Sequence, residues 1–127
     1  MPSPRQPTRS ELEILRILWA KGPSTVREVH GALGPERGAG YTTVLKLLQI
    51  MTEKGLVTRD ESRRSHVYQA EESEQDTQDQ LVGDLVDRAF GGSSLNLVMR
   101  ALAERRTTPE ELDEVRRLLD DLEGESR

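Results

Sequence analysis

The chain has 127 residues, no cysteine and a formal net charge of minus five, from 18 Lys and Arg against 23 Asp and Glu. That length holds one core, or a small domain with an appended element, and excludes a large multidomain enzyme. The absence of thiols excludes a disulfide scaffold and thiolate metal ligation and fits a reducing interior.

The longest uninterrupted apolar run is Ile17 to Ala20, far short of a membrane span, and the opening MPSPRQPTRS lacks the apolar stretch of a secretory signal, so a cytoplasmic location away from the membrane is expected. Thr8 with Glu11 forms a capping box, and Leu12, Leu15, Ile17, Leu18 and Trp19 supply the apolar stripe of a first helix that ends at Gly22 and Pro23. Ser24 or Thr25 caps a second, shorter helix carrying Val26, Val29 and Leu33, with Glu28 in the box position relative to Thr25. GALGPERGAG reads as a loop.

In YTTVLKLLQIMTEKG, Val44, Leu47, Leu48 and Met51 follow the i, i+3, i+4, i+7 spacing of a buried helical face, and Gly55 sits at a left-handed C-cap position. A strand near Leu56 to Asp60, a polar turn and a return strand from His66 to Ala70 come next. Three helices and a hairpin are the order of a winged helix-turn-helix, so the expected class is mainly α with a small β-hairpin wing. EESEQDTQDQ follows as a linker or as the first turn of a new helix.

The remaining segments are amphipathic. Leu81, Leu85, Val86 and Phe90 form one stripe ending at Gly91 and Gly92, and Leu95, Val98, Met99 and Leu102 form another. In the last helix Thr108 with Glu111 makes a capping box, Pro109 takes the first helical position, and Leu112, Val115, Leu119 and Leu122 line one face before Gly124. About 57 residues seldom make an independent core. This half is therefore expected to complete itself against a second copy of the chain, the alternative being that it packs back on the amino-terminal unit. The expected division is a winged-helix domain over 1–72 and a helical dimerisation domain over 73–127.

Charge divides along the same line. Residues 1–70 carry 11 Lys and Arg against 7 Asp and Glu, and residues 71–127 carry 7 against 16, giving plus four and minus nine. Such a split suggests a nucleic-acid binder joined to an acidic partner element, with the acidic half turned away from the duplex.

No catalytic constellation is visible. His30 and His66 are the only histidines and have no metal-ligand spacing, the Gly34, Gly38 and Gly40 cluster is followed by Tyr41 and Thr42 rather than by a phosphate-loop lysine, and no nucleophile elbow occurs. No catalytic residue, metal or cofactor is expected.

DNA binding is better supplied. Thr42, Thr43, Lys46 and Gln49 lie on the wet side of the third helix, where short polar and cationic side chains can enter a major groove about 12 Å wide. Threonine offers a hydroxyl and a methyl, lysine reaches phosphate or guanine, and glutamine pairs with adenine. The alternative for these residues is that Thr42 caps the helix while Lys46 and Gln49 are merely solvated. Arg63 and Arg64 at the hairpin tip have free reach for phosphate or a narrow minor groove. Tyr41 either donates its hydroxyl to phosphate or packs at the helix entrance. The amino-terminal turns bearing Arg9, Ser10, Ser24 and Thr25 can present backbone N–H groups to phosphate, although capping alone accounts for the hydroxyls.

Five stretches in order, T-x-x-E-x-E-I-L-x-x-L-W at Thr8–Trp19, T-V-R-E-V at Thr25–Val29, Y-T-T-V-x-x-L-L at Tyr41–Leu48, E-K-G-L-V at Glu53–Val57 and R-x-H-x-Y at Arg64–Tyr68, resemble the penicillinase repressor (BlaI/MecI) family. The resemblance covers residues 8–70 and continues to about residue 122. It implies a homodimeric winged-helix repressor of dyad operators whose DNA-contacting helix and wing match Tyr41, Thr42, Thr43, Lys46 and Arg64, with intertwined carboxyl-terminal helices.

Two departures accompany the resemblance. Copper-responsive members carry a cysteine-rich metal site that this chain cannot form. In the β-lactam branch a sensor protease pathway cuts an Asn-Phe bond in the dimerisation helices. The aligned LVMRAL places Arg100 and Ala101 near that position, and Asn96 followed by Leu97 lies slightly earlier, so a sensor protease partner stays open. The other reading of the whole chain is a winged-helix protein-interaction adaptor that does not bind DNA.

Overall fold

The computed structural model describes residues 6–34 and 38–125. The chain divides into two compact units, 1–84 and 85–127, so the division falls inside a helix.

The first unit opens with α1 (Arg9–Lys21), β1 (Ser24–Thr25), α2 (Val26–Leu33) and α3 (Tyr41–Lys54), followed by β2 (Val57–Asp60), β3 (Val67–Ala70) and the start of α4 (Glu74–Ala89). Both expected capping boxes form. Thr8 and Thr25 accept from the backbone N–H of Glu11 and Glu28 at 3.2 Å, and each glutamate accepts from its cap residue's N–H in return. Each box satisfies two donors that a helix start would otherwise leave unpaired.

The core of this unit is Ile14, Leu15, Leu18, Val26, Val29, Val44, Leu48, Met51, Val57 and Tyr68. Ile14 belongs to it, whereas Leu12, Ile17 and Trp19, expected on the buried stripe of α1, are only partly covered at its margin, as is Leu47 of α3. Trp19 sits there because its indole N–H donates to the Glu72 carbonyl at 3.0 Å, which holds the ring at the boundary.

The sheet has one strand more than the hairpin expected from sequence. β3 runs between β2 and β1, antiparallel to both, with Val67 opposite Asp60 and Thr25, and Tyr68 opposite Arg59 and Ser24. The two-residue β1 gave no alternation to read, because Ser24 is also the approach to the α2 cap. Ser24 is buried and its hydroxyl donates to the Gly22 carbonyl at 2.9 Å, so that hydroxyl is engaged within the turn. His66 lies just outside β3, which begins at Val67.

Gly55 ends α3 with φ of 79°, a conformation that side chains with a Cβ avoid, and its N–H bonds to Met51 and Thr52 carbonyls. The chain thereby turns straight into β2, and Leu56 N–H closes onto the Met51 carbonyl at 2.9 Å. This places the β2–β3 hairpin directly after α3.

A buried carboxylate links the two ends of this layer. Glu11 is 2% exposed and its Oε1 accepts from Lys54 Nζ at 2.6 Å, while the same ammonium donates to the Gln6 carbonyl. Burial pushes the Glu11 carboxyl up, but the Lys54 hydrogen bond, the Thr8 N–H, the Lys54 charge and the Thr8 hydroxyl together hold it below its ordinary value. A folded-state pKa below the unfolded one contributes stability at neutral pH that is lost as pH falls from the ordinary glutamate range through the lowered value. Glu11→Gln is expected to cost about 1–3 kcal/mol at pH 7, where a charge-assisted bond is removed from a buried site. In urea titrations at pH 7 and pH 3 the variant should also lose less stability on acidification than the wild type. Equal acid sensitivity in the two proteins would show that Glu11 is not part of it.

EESEQDTQDQ resolves in favour of a helix: α4 begins at Glu74, with Thr77 N–H on the Ser73 carbonyl. The second unit holds the end of α4, then α5 (Ser94–Glu104) and α6 (Pro109–Glu125). Gly91 and Gly92, with φ of 57° and 83°, turn the chain after Phe90, and Ser93 caps α5 through the Asn96 N–H. The Thr108–Glu111 box starts α6 as expected, but the helix runs through Gly124 to Glu125. No residue of α5 or α6 is buried. No helix among the described residues is long and apolar enough to cross a membrane.

Candidate nucleic-acid interface

The periodicity of α3 decides which residues face out. With Val44, Leu48 and Met51 fully buried, the positions between them must project outwards, and Tyr41, Thr42, Thr43, Lys46 and Gln49 are all exposed. The cap of α3 is Gly40, with no side-chain hydrogen bond, and Val44 N–H reaches the Gly40 carbonyl at 3.1 Å. Thr42 is therefore the second residue of the helix and not its cap. Among the described residues, the Thr42 and Thr43 hydroxyls and the Lys46 ammonium have no hydrogen-bond or ion-pair partner. Ile50, one turn beyond Lys46, is 39% exposed on the same outer face, an apolar position that the polar pattern of the helix obscured.

The wing separates the arginines that the sequence presents as neighbours. Arg64 lines a cleft of about 490 Å³ together with Arg27, Tyr41, Leu45 and His66, between α2, the start of α3 and the wing. Arg63 lines a different cleft, of about 630 Å³, whose wall includes Glu28, Arg59 and Asp60. Asp60 accepts from Ser62 N–H at 2.9 Å, and the Ser62 hydrogen bonds and the Arg63 charge hold its carboxyl below the ordinary range. Arg59 is engaged locally: hydrogen bonding to Tyr68 and then to Glu61 raises its already high pKa. Of the wing cations, Arg64 thus shares its cleft with no carboxylate among the described residues, while Arg63 and Arg59 sit among acids.

Tyr41 is 47% exposed, and its ring stands edge-on to His30 with centroids 6.2 Å apart. It packs at the helix entrance and also lines the cleft beside Arg64, so the two roles expected for it are compatible. Arg9 and Ser10 are exposed in the first turn of α1, and Thr25 is half-buried with its hydroxyl bound in the capping box. Arg27, exposed in the first turn of α2, lines the same cleft although the sequence pattern does not single it out; a cation next to a cap box whose flanking valines face the core was the available signal. Among the described residues no group of three or more metal-ligating side chains assembles.

A family model described as penicillinase repressor matches residues 7–121 and so spans α1 through most of α6. The chain belongs to the penicillinase repressor family. A transcriptional regulator BlaI of Mycobacterium tuberculosis is 32% identical over 115 residues, covering 90% of this chain and 83% of that protein. A penicillinase repressor of Staphylococcus aureus is 20% identical over 113 residues, 89% of this chain and 90% of its own. Membership makes the protein a DNA-binding transcriptional repressor and not an enzyme, on a winged-helix fold. The matched span contains every residue of the outer face of α3 and of the wing.

Proposed function

We propose that the protein is a homodimeric repressor that binds a palindromic operator. Thr42, Thr43, Lys46 and Gln49 enter the major groove, and Tyr41, Arg63 and Arg64 grip flanking phosphates. Arg9, Ser10 and Thr25 mark the helix starts nearest the backbone. The observation that carries this reading is the exposed polar face of α3 opposite the fully buried Val44, Leu48 and Met51. Two copies joined through the second unit present two such helices, so half-sites should be spaced by one helical turn, about 10 bp, or a multiple.

The second unit supports the dimer. Leu85, Leu95, Val98, Met99, Leu119 and Leu122 are exposed large apolar side chains, Phe90, Leu102, Leu112 and Val115 are only partly covered, and so is Leu81 on the part of α4 that belongs to the first unit. An apolar surface of that extent on one protomer marks an association site. The regulatory cut known from the β-lactam branch would here have to fall within α5: Asn96–Leu97 and Arg100–Ala101 are both helical, so a protease would need that segment to unwind first.

Selection of duplexes from a random pool should recover an inverted repeat, and affinity for it should fall steeply with salt, because each neutralised phosphate releases counterions. Arg64→Ala should leave the circular dichroism unchanged and make that salt dependence shallower by about two units, one per protomer. Affinity independent of salt, or an unchanged slope in the variant, would sink the phosphate assignment.

A further inference from the structure

We propose that the cleft between α2, the start of α3 and the wing is a proton-linked phosphate site. His66 joins Arg27 and Arg64 there on a backbone phosphate of bound duplex DNA, so that the grip tightens as pH falls. The inference rests on the DNA-binding reading and adds to it a ligand group, Arg27, and a means of regulation.

Three elements converge on this cleft. α2 contributes Arg27, the first turn of α3 contributes Tyr41, and the wing and the start of β3 contribute Arg64, Ser65, His66 and Tyr68. Among the described residues no carboxylate lines it. Two acids of α2 and the wing are engaged elsewhere: Glu28 accepts from the Thr25 N–H and lines the other cleft, as does Asp60, which accepts from Ser62. Arg27, Arg64 and His66 are exposed, and no ion pair engages any of them among the described residues. A concave site that presents the Arg27 and Arg64 guanidinium groups, the exposed Tyr41 phenol, the Ser65 hydroxyl and the His66 imidazole suits a phosphodiester, which offers several acceptor oxygens and one negative charge.

The imidazole gives the site its sensitivity. Guanidinium stays charged throughout, and tyrosine titrates far above neutrality, whereas imidazole changes charge between about pH 5 and 8. A phosphate beside it favours the charged form, so binding takes up a proton and affinity rises as pH is lowered. His30, the other histidine, is half-buried against the Tyr41 ring and does not line the cleft, which makes it the internal control.

Phosphate contacts do not depend on sequence, so a labelled random-sequence duplex of about two helical turns is a sufficient probe. Fluorescence anisotropy with the full-length protein at fixed ionic strength should show affinity increasing roughly three- to tenfold between pH 8 and pH 6. His66→Gln should abolish that increase, and His66→Arg should bind at pH 8 as tightly as the wild type does at pH 6, with no further dependence. His30→Gln should keep the wild-type profile, and Arg27→Ala should weaken binding at both pH values. A flat wild-type profile, a His66→Gln profile that still rises, or a His66→Arg protein no tighter than wild type at pH 8 overturns the proposal. Failure of the wild type to bind the duplex at any pH would instead overturn the DNA-binding reading, and this inference with it.

Discussion

Replacing Leu112 and Leu119 with glutamate is expected to turn the protein into a monomer and to lower its affinity for a palindromic duplex by about 10²-fold or more, the range by which joined binding sites exceed separate ones. Leu112, Val115, Leu119 and Leu122 lie at i, i+3, i+7 and i+10 on α6, a single stripe, yet not one is buried within the protomer. Leu119 and Leu122 are more than half exposed. Covering the half of each such leucine that is still exposed would contribute about 1 kcal/mol, and a two-fold axis would double every contact. The Arg116–Asp113 pair at 2.7 Å stays off this stripe and contributes little, since both side chains are about two-thirds exposed. In the proposed dimer a carboxylate placed at 112 and 119 would meet apolar surface. Sedimentation velocity measures the first effect and anisotropy on a full palindrome against a half-site measures the second. A dimer that survives both substitutions would move the interface to another surface.

How much of this could be read from the sequence depends on whether the signal is local. The capping boxes at Thr8, Thr25 and Thr108 involve residues three apart, and all three form as expected. The core face of α3 was equally legible, because Val44, Leu48 and Met51 share one side of a 3.6-residue period. Features that depend on distant partners were not. β1 exists only because β3 lies beside it, and nothing in two residues announces a strand. Glu11 reads as a cap residue, and its second bond, to a lysine 43 positions away, has no local mark. The same holds for Arg63 and Arg64, adjacent in sequence but set by the hairpin into different clefts. In α1 the periodic reading included Leu12 and Trp19 and passed over Ile14, because the helix is apolar on more than one side and hydropathy alone cannot rank its faces.

Two residues apart on α3, Leu48 and Lys46 should give opposite phenotypes. Leu48 is fully buried among core side chains from α1, α2 and the sheet, so Leu48→Ala leaves a cavity and should cost about 2–5 kcal/mol of stability. That is a large part of the roughly 5–15 kcal/mol that holds a domain of this kind together. Below its lowered melting temperature the variant keeps the outer face of the helix, and its DNA affinity should stay close to wild type. Lys46→Ala removes an exposed ammonium without an ion-pair partner among the described residues, and should shift stability by no more than about 0.5 kcal/mol. Its effect falls on binding instead, weakening it by about 1–3 kcal/mol at each half-site. Thermal melts and operator titrations on the two variants separate the inner from the outer face of one helix. If Lys46→Ala lowered the melting temperature while binding held, the exposed face would be structural, and the groove-entering helix would have to be sought elsewhere in the chain.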